Sequence, residues 1–341
     1  MKLSIVLPTY NRLDQLKQVL AGLEVQTFPL DQFEVVVVSD GSPDDTDAYL
    51  RQVATPLQLN PVFQVNQGVA VARNRGIREA RADVILFIDD DVVPTPTLLE
   101  QHLNTHSAEN IVVLGPMLSP PDFVMKPWVD WEQKMLMKQY EDMLEGKWQP
   151  TARQFYTGNT SVRREHLIAA GGFDPAFRRA EDVELAYRLD GMGLEFVFNY
   201  DAVGYHYAER SFQSWLAIPY AYGRNDVIFC QEKGQSWLLP TIWREYQGRH
   251  QLIRLLTQLC LDREMPSKVA LNVMRGFAAL GHKTNIMALP RIAYSGIFNL
   301  RHYQGVADQL GGREQFFAGV DSHSDKDSQK DIVHPRGVMS L

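Results

Sequence analysis

The stretch Asp83-Val84-Ile85-Leu86-Phe87-Ile88-Asp89-Asp90-Asp91-Val92 decides the fold. An apolar run of strand length, rich in β-branched residues, stops at three adjacent carboxylates. Such a run reads as a strand covered on both faces, as in a parallel sheet. The carboxylates then fall at its carboxyl end, where open α/β sheets hold their ligands. Side chains alternate along an extended chain, so Asp89 and Asp91 are expected on one side and Asp90 on the other. Two like charges on one side repel unless a cation separates them. A hard divalent ion that also grips phosphate oxygens fits that place. The plainer reading is an acidic surface turn after a strand.

Similar runs lie on either side. Leu3–Leu7 and Phe33–Val38 read as strands, ended by Pro8-Thr9-Tyr10-Asn11 and Ser39-Asp40-Gly41-Ser42, and residues 61–65 as a third. Leu13, Leu16, Val19, Leu20 and Leu23 recur at helical spacing, and further helices are expected from Pro43, from Gly68 and over residues 94–106. Strand–helix alternation over about the first 115 residues argues for a sheet wound by right-handed crossovers. Ile111–Gly115 is a further strand. Residues 117–150 are rich in Pro and Trp, with a helix over 128–144 whose aromatics either pack or form a sugar-stacking wall. Phe155–Val162 is a strand containing Gly158 and Asn159, where a ligand can approach the backbone. A turn at Gly171-Gly172-Phe173-Asp174 precedes a helix that opens on Glu181-Asp182. His102 and His106 lie four apart on their expected helix and read as a solvated face. From about 211 the chain reads as helices over 212–230, 241–261, 267–280 and 286–300, then a polar tail.

The 341 residues, 45% hydrophobic and 22% charged with net charge −7, describe an ordinary globular chain. No basic block appears before the tail, which argues against nucleic acid as a partner. Cys230 and Cys260 alone form neither a disulfide framework nor a ligand cluster. No run of eighteen uncharged apolar residues appears, so no spanning helix is expected. The expected location is cytoplasmic, with association at the inner membrane face left open.

Six motifs in this order resemble a family-2 glycosyltransferase of GT-A fold. They are Pro8-Thr9-Tyr10-Asn11, Asp40-Gly41-Ser42, Gly68 through Gly76 with Ala72-Arg73-Asn74, Phe87-Ile88-Asp89-Asp90-Asp91, Gly171-Gly172-Phe173-Asp174 and Glu181-Asp182. Each is weak alone; six in sequence are specific. The resemblance implies an α/β fold of GT-A (Rossmann-like) type: a mixed, mainly parallel sheet flanked by helices, with a helical C-terminal extension. It implies a GT-A domain over 1–210, with a nucleotide-binding half 1–115 and an acceptor half 116–210. A helical region over 211–320 and a disordered tail over 321–341 follow.

The resemblance also implies roles. Pro8, Thr9, Tyr10 and Asp40 hold the base and ribose of a nucleotide-sugar, with Asp90, Gly158 and Asn159 beside it. Arg73 contacts the base or diphosphate, or is a surface helix residue. Asp89 faces ribose and metal, and Asp91 binds Mn²⁺ or Mg²⁺. Asp182, beside Glu181, is the catalytic base, unless the pair only caps its helix. His206 completes the metal shell or is a structural histidine. Arg224 meets the diphosphate when a loop closes, or lies on a helix surface. The expected reaction is inverting transfer of one sugar from a nucleotide-sugar, UDP-linked by analogy, to a saccharide, lipid-linked or small-molecule acceptor in polysaccharide or glycan synthesis. The Gln-x-x-Arg-Trp motif and membrane helices of processive relatives are absent.

A sugar-phosphate nucleotidyltransferase would carry a Gly-rich, basic N-terminal loop, and a NAD dehydrogenase a Gly-x-Gly-x-x-Gly turn; neither is present. A non-catalytic nucleotide-sugar or glycan-binding module remains the rival from another class. The apolar and basic residues of the C-terminal helices fit packing on the parent domain, a homo-oligomer contact or a membrane surface.

Overall fold

The structure is a computed structural model that describes residues 1–324. Among the described residues ten strands build two sheets. They are β1 (Leu3–Thr9), β2 (Phe33–Asp40), β3 (Leu59–Gln64), β4 (Val84–Ile88), β5 (Val92–Pro94), β6 (Ile111–Leu114), β7 (Met117–Leu118), β8 (Asn159–Arg163), β9 (Glu195–Phe198) and β10 (Gly204–His206). The seven-stranded sheet runs β3-β2-β1-β4-β8-β6-β9, and the three-stranded sheet β5-β10-β7. β1 pairs in parallel with β2 and β4, while β8 runs antiparallel between β4 and β6. The sheet is therefore mixed and mainly parallel.

Every residue of β1, β2 and β4 is buried. The continuous apolar runs have this cause: helices cover both faces, so no position needs a polar side chain. The helices along this part of the chain are α1 (Leu13–Glu24), α2 (Thr46–Gln52), α3 (Val69–Glu79) and α4 (Leu98–Thr105), followed by the long α5 (Pro127–Leu144), α6 (Arg164–Ala169) and α7 (Glu181–Gly191). Leu16, Val19, Leu20 and Leu23 of α1 join Ile5, Leu7, Phe33, Leu86 and Ile88 in one core. Each such side chain contributes roughly 1.5–3 kcal/mol through burial. At the amino end of the sheet, Glu34 is enclosed with Ser4 Oγ at 2.6 Å and the Arg81 backbone N–H at 2.7 Å. The carboxyl ends of β1, β2 and β4 carry Thr9, Asp40 and the Asp89–Asp91 triplet.

The chain divides into two compact units, residues 1–124 with 136–208, and residues 125–135 with 209–324. The second is helical: α8 (Phe212–Glu232), α9 (Leu238–Gly248), α10 (Gln251–Cys260), α11 (Glu264–Thr284), α12 (Ala288–Leu310) and α13 (Arg313–Ser324). One core holds Trp131, Trp215, Tyr294 and Phe298, and another Trp243, Tyr246, Tyr303 and Phe316. α8 and α12 cross at glycines. A Cβ on Gly305 would stand 2.0 Å from the Tyr220 carbonyl oxygen, so only glycine permits this approach. No helix among the described residues is long and apolar enough to cross a membrane.

Three expectations change. The helix expected over 241–261 is two, because Gly248 and an extended Arg249 break it and His250 caps the second by accepting from the Leu252 N–H. Residues 321–324, expected in a tail, finish α13, which burial of Phe316 and Val320 anchors; the rest of that tail lies outside the described residues. His102 does not face solvent: it is fully buried against β8.

Candidate active site

The carboxylates after β4 do not continue the strand. Val92 N–H donates to the Asp89 carbonyl at 3.1 Å, so the chain turns and strict alternation is lost. The three side chains consequently divide among two arginines. Asp89 accepts from Arg73 Nη2 at 2.7 Å. Asp90 and Asp91 both accept from Arg12 Nη1, at 3.0 and 2.6 Å. In this structure each side of the turn carries a guanidinium: Arg73 on Asp89, and Arg12 on Asp90 and Asp91.

Arg12 has no place among the residues singled out from sequence. Its only signal was its position just past the first strand, facing three acids that need positive charge. Thr9 Oγ1 also donates to Asp90, at 2.9 Å. Burial drives Asp90 up to about 6 against the pull of Arg12, with the charge of Asp91 adding to the rise. Burial would also raise Asp91, but the His206 ring and Arg12 outweigh it and hold this carboxyl well below the usual range. His206 reaches Asp91 because β10 pairs antiparallel with β5, setting His206 opposite Val92. Its Nε2 lies 3.6 Å from Asp91 Oδ1.

Arg73 is the link to the second acidic motif. It sits on α3, 3% exposed, with its guanidinium 5.5 Å from the Phe173 ring centroid. Nη2 meets Asp89 and Nη1 donates to Glu181 Oε1 at 2.7 Å. It is neither a surface residue nor free at both ends. Asn74, one residue on, clamps the Gly171–Asp174 turn by donating to the Phe173 carbonyl and accepting from its N–H, both at 2.7 Å. Ala180 holds φ +58° immediately before α7. That left-handed conformation costs an alanine roughly 1–2 kcal/mol, and it swings Glu181 and Asp182 onto the first turn of the helix. Burial and the neighbouring Glu181 charge raise Asp182 above the ordinary carboxylate range, with Arg73 opposing.

The other expected residues fall as follows. Asp40 Oδ1 accepts from Gln64 Nε2 at 2.7 Å and the Gln67 N–H at 2.9 Å, and Oδ2 from the Gly68 N–H at 2.8 Å. Its carboxylate shapes the loop leading into α3. Pro8 is buried in β1, while Tyr10 is 48% exposed. Gly158 packs so closely that a Cβ there would lie 2.5 Å from Met117 Sδ and 3.2 Å from Asp89 Oδ2. Asn159 turns inward: it donates to the Pro116 and Ala202 carbonyls and meets His102, so its side chain holds strands together. Arg224 belongs to the second unit, on α8, where Nε and Nη2 donate to Gln309 at 3.2 and 3.0 Å.

Among the described residues no group of three or more His, Cys, Asp or Glu side chains forms a metal cage. Asp91 and His206 nevertheless face one another at 3.6 Å, a hard carboxylate with an imidazole, with Arg12 on the other carboxylate oxygen. That donor set suits Mn²⁺ when phosphate oxygens and water supply the remaining positions.

The profile of glycosyl transferase family 2 matches residues 4–170, the segment that carries β1–β8 and both arginines. Residues 4–170 belong to glycosyltransferase family 2. The chain is 34% identical over 229 residues to the validoxylamine A glucosyltransferase of Streptomyces hygroscopicus subsp. jinggangensis, covering 59% of this chain and 54% of that one. The chain spans 51% to 64% of the lengths of three curated relatives that it matches. Among solved structures, it resembles the mannosyltransferase PcManGT from Pyrobaculum calidifontis in complex with GDP-Man and Mn²⁺. The TM-score is 0.61 at 18% identity, over 91% of this chain and 87% of that one. It also resembles S. aureus TarS 1-349 in complex with UDP-GlcNAc, with a TM-score of 0.55 at 19% identity, over 98% and 95% of the two chains. The likeness at such identities is one of fold, and the fold of this family-2 member is GT-A.

Proposed function

We propose that this family-2 protein is an inverting glycosyltransferase that moves one sugar from a UDP-sugar to an acceptor hydroxyl. One observation carries the reading: Arg73 joins Asp89, after β4, to Glu181, at the start of α7. Two acidic motifs separated by 92 positions are thereby held about one point, as a donor and an acceptor meeting at one carbon require. A structural neighbour holding UDP-GlcNAc and another holding GDP-Man with Mn²⁺ support a nucleotide-sugar donor.

In this reading Asp182 lies on the acceptor side. The acceptor oxygen bonds to the anomeric carbon while the bond from that carbon to the diphosphate oxygen breaks. The diphosphate leaves with the electron pair, and the acceptor proton passes to an Asp182 carboxylate oxygen. A single displacement inverts the carbon. Asp91 and His206, with Asp89, would hold a Mn²⁺ or Mg²⁺ ion. When bound, that ion neutralises charge on the departing diphosphate. Arg73 fixes Asp89 and Glu181, Asp40 shapes the base-side loop, and exposed Tyr10 offers a ring to the base. Acceptors of saccharide, lipid-linked or small-molecule type all present the needed hydroxyl.

The test incubates the full chain with UDP-sugars and Mn²⁺ and follows free UDP, alongside thermal shift with and without the cation. A transferase releases UDP slowly even without acceptor, and Asp182→Asn stops release while the donor still raises the melting point. A donor that stabilises the chain without any release, in every sugar tried and with acceptors added, identifies a binding module instead.

A further inference from the structure

The second unit carries an apolar surface that its own cores do not cover. Nineteen large apolar side chains are exposed among the described residues, and eleven of them lie from Leu252 to Ile292. α11 is apolar on two sides. Leu271, Met274 and Ala278 pack inward. Val269, Val273, Phe277 and Leu280 repeat at helical spacing on the other side and are 48% to 56% exposed. A helix apolar on both sides is one whose second side meets something apolar, and a contiguous exposed patch marks an interaction site. α10 lies against α11 and α12 and adds Leu252, Leu255 and Leu259 to the exposed set. Leu252 and Ile292 also line a cavity of about 360 Å³, walled by Trp131, Met135 and Ile253, with Arg291 at its edge.

The charge of this segment sets it apart. Residues 251–292 hold six Lys and Arg against Asp262 and Glu264, a net +4 in a chain of net −7. Five of the six, Arg263, Lys268, Arg275, Lys283 and Arg291, are exposed. We propose that this face docks on an anionic phospholipid bilayer. The outward residues of α10 and α11 enter the interfacial layer, and Lys283 and Arg291 beside them meet headgroup phosphates. The apolar cavity beside Arg291 suits the end of one acyl chain. A second copy of the chain fits less well, because two-fold pairing would set this positive surface against itself.

The test mixes the full chain with vesicles of phosphatidylcholine and phosphatidylglycerol, or of phosphatidylcholine alone, and sediments them. The expected result is co-sedimentation with the anionic vesicles, weakening as salt rises. Val273→Glu with Phe277→Glu, and separately Lys283→Glu with Arg291→Glu, each lower vesicle affinity at least about tenfold, with melting temperature unchanged. The second pair alters only exposed polar positions and keeps the test valid if the first disturbs folding. Absence of binding, equal binding to both vesicle types, or full binding by both variants overturns the proposal. So does sedimentation velocity without lipid showing a dimer that the Val273→Glu, Phe277→Glu variant dissolves. None of these readouts depends on the proposed sugar transfer.

Discussion

Asn159 and His102 meet at 2.9 Å with no solvent reaching either side chain, and this contact fixes the state of the imidazole. Asn159 Nδ2 gives its protons to the Pro116 and Ala202 carbonyls, at 3.0 and 2.7 Å. Its Oδ1 must therefore accept, so His102 Nε2 carries the proton and Nδ1 accepts from Ser161 Oγ at 2.8 Å. Ser161 Oγ in turn accepts from His106 Nε2 at 2.8 Å. The chain of bonds ties α4 to β8 and, through Ala202, to the residues leading into β10 and His206.

Replacing His102 with Phe keeps the ring and strips its hydrogen bonds. Asn159 Oδ1 loses its partner in a dry site, so stability should fall by about 2–3 kcal/mol, measured by denaturant unfolding. The pH dependence should change with it. Burial lowers His102 to about 4, with the His106 charge adding to that and the Asn159 contact opposing; burial and Arg163 also lower His106 to about 4. The unfolded chain protonates each near 6.5. Stability from neutral His102 is thus fully present above about 6.5 and is lost as pH falls toward 4, at roughly 1.4 kcal/mol per unit. The gap between parent and His102→Phe should narrow over that range. A gap constant from pH 7 to 4.5 would refute the neutral assignment.

Asp182→Asn should lower turnover by about 10²–10⁴-fold, the usual worth of a positioned base, and leave donor affinity nearly unchanged. Since only the carboxylate accepts a proton, the rate should rise with pH through the Asp182 pKa. Burial and Glu181 set that pKa above the ordinary carboxylate value of about 4. Initial rates from pH 5 to 9 check this; a flat profile across the acid range excludes Asp182 as the group observed.

Parts of this arrangement were legible in the sequence because they depend on local pattern. The apolar runs of β1, β2 and β4 end where Thr9, Asp40 and Asp89 begin, and the leucines of α1 fall on one face. Other parts depend on partners far along the chain. His102 and His106 share helical spacing with any solvated pair, and only contact with Ser161, 59 and 55 positions away, buries them. β5, β7 and β10 have two or three residues each, too few to show a period, yet they bring His206 to Asp91. The alternation expected at Asp89–Asp91 failed because a hydrogen-bonded turn replaces the strand. Arg12 and Arg73 were visible as residues, but which acids they join was not.

Arg73→Met should destabilise the protein by roughly 3–5 kcal/mol, since it leaves Asp89 and the buried Glu181 without their counter-charge. Adding Glu181→Gln should recover part of that loss, because the second change removes one of the stranded charges. A double-mutant cycle by urea unfolding measures the coupling. Additive effects within about 0.5 kcal/mol would mean that the contact between Arg73 and Glu181 contributes nothing of its own.

Arg12 sets up a competition. Its Nη1 lies 2.6 Å from Asp91 Oδ2, on the carboxylate proposed to take a divalent ion with His206. The side chain is 42% exposed, so removing it should cost no more than about 1 kcal/mol of stability. Arg12→Gln should therefore free Asp91 and tighten Mn²⁺ binding several-fold in the absence of donor, read from the free-ion signal in electron paramagnetic resonance. His206→Ala should weaken the same binding and Asp91→Asn should abolish it. If Arg12→Gln leaves Mn²⁺ affinity unchanged while Asp91→Asn abolishes it, the guanidinium and the ion occupy different sides of the carboxylate. If neither Asp91→Asn nor His206→Ala alters Mn²⁺ binding, the ion binds elsewhere and the proposed ligand pair is wrong.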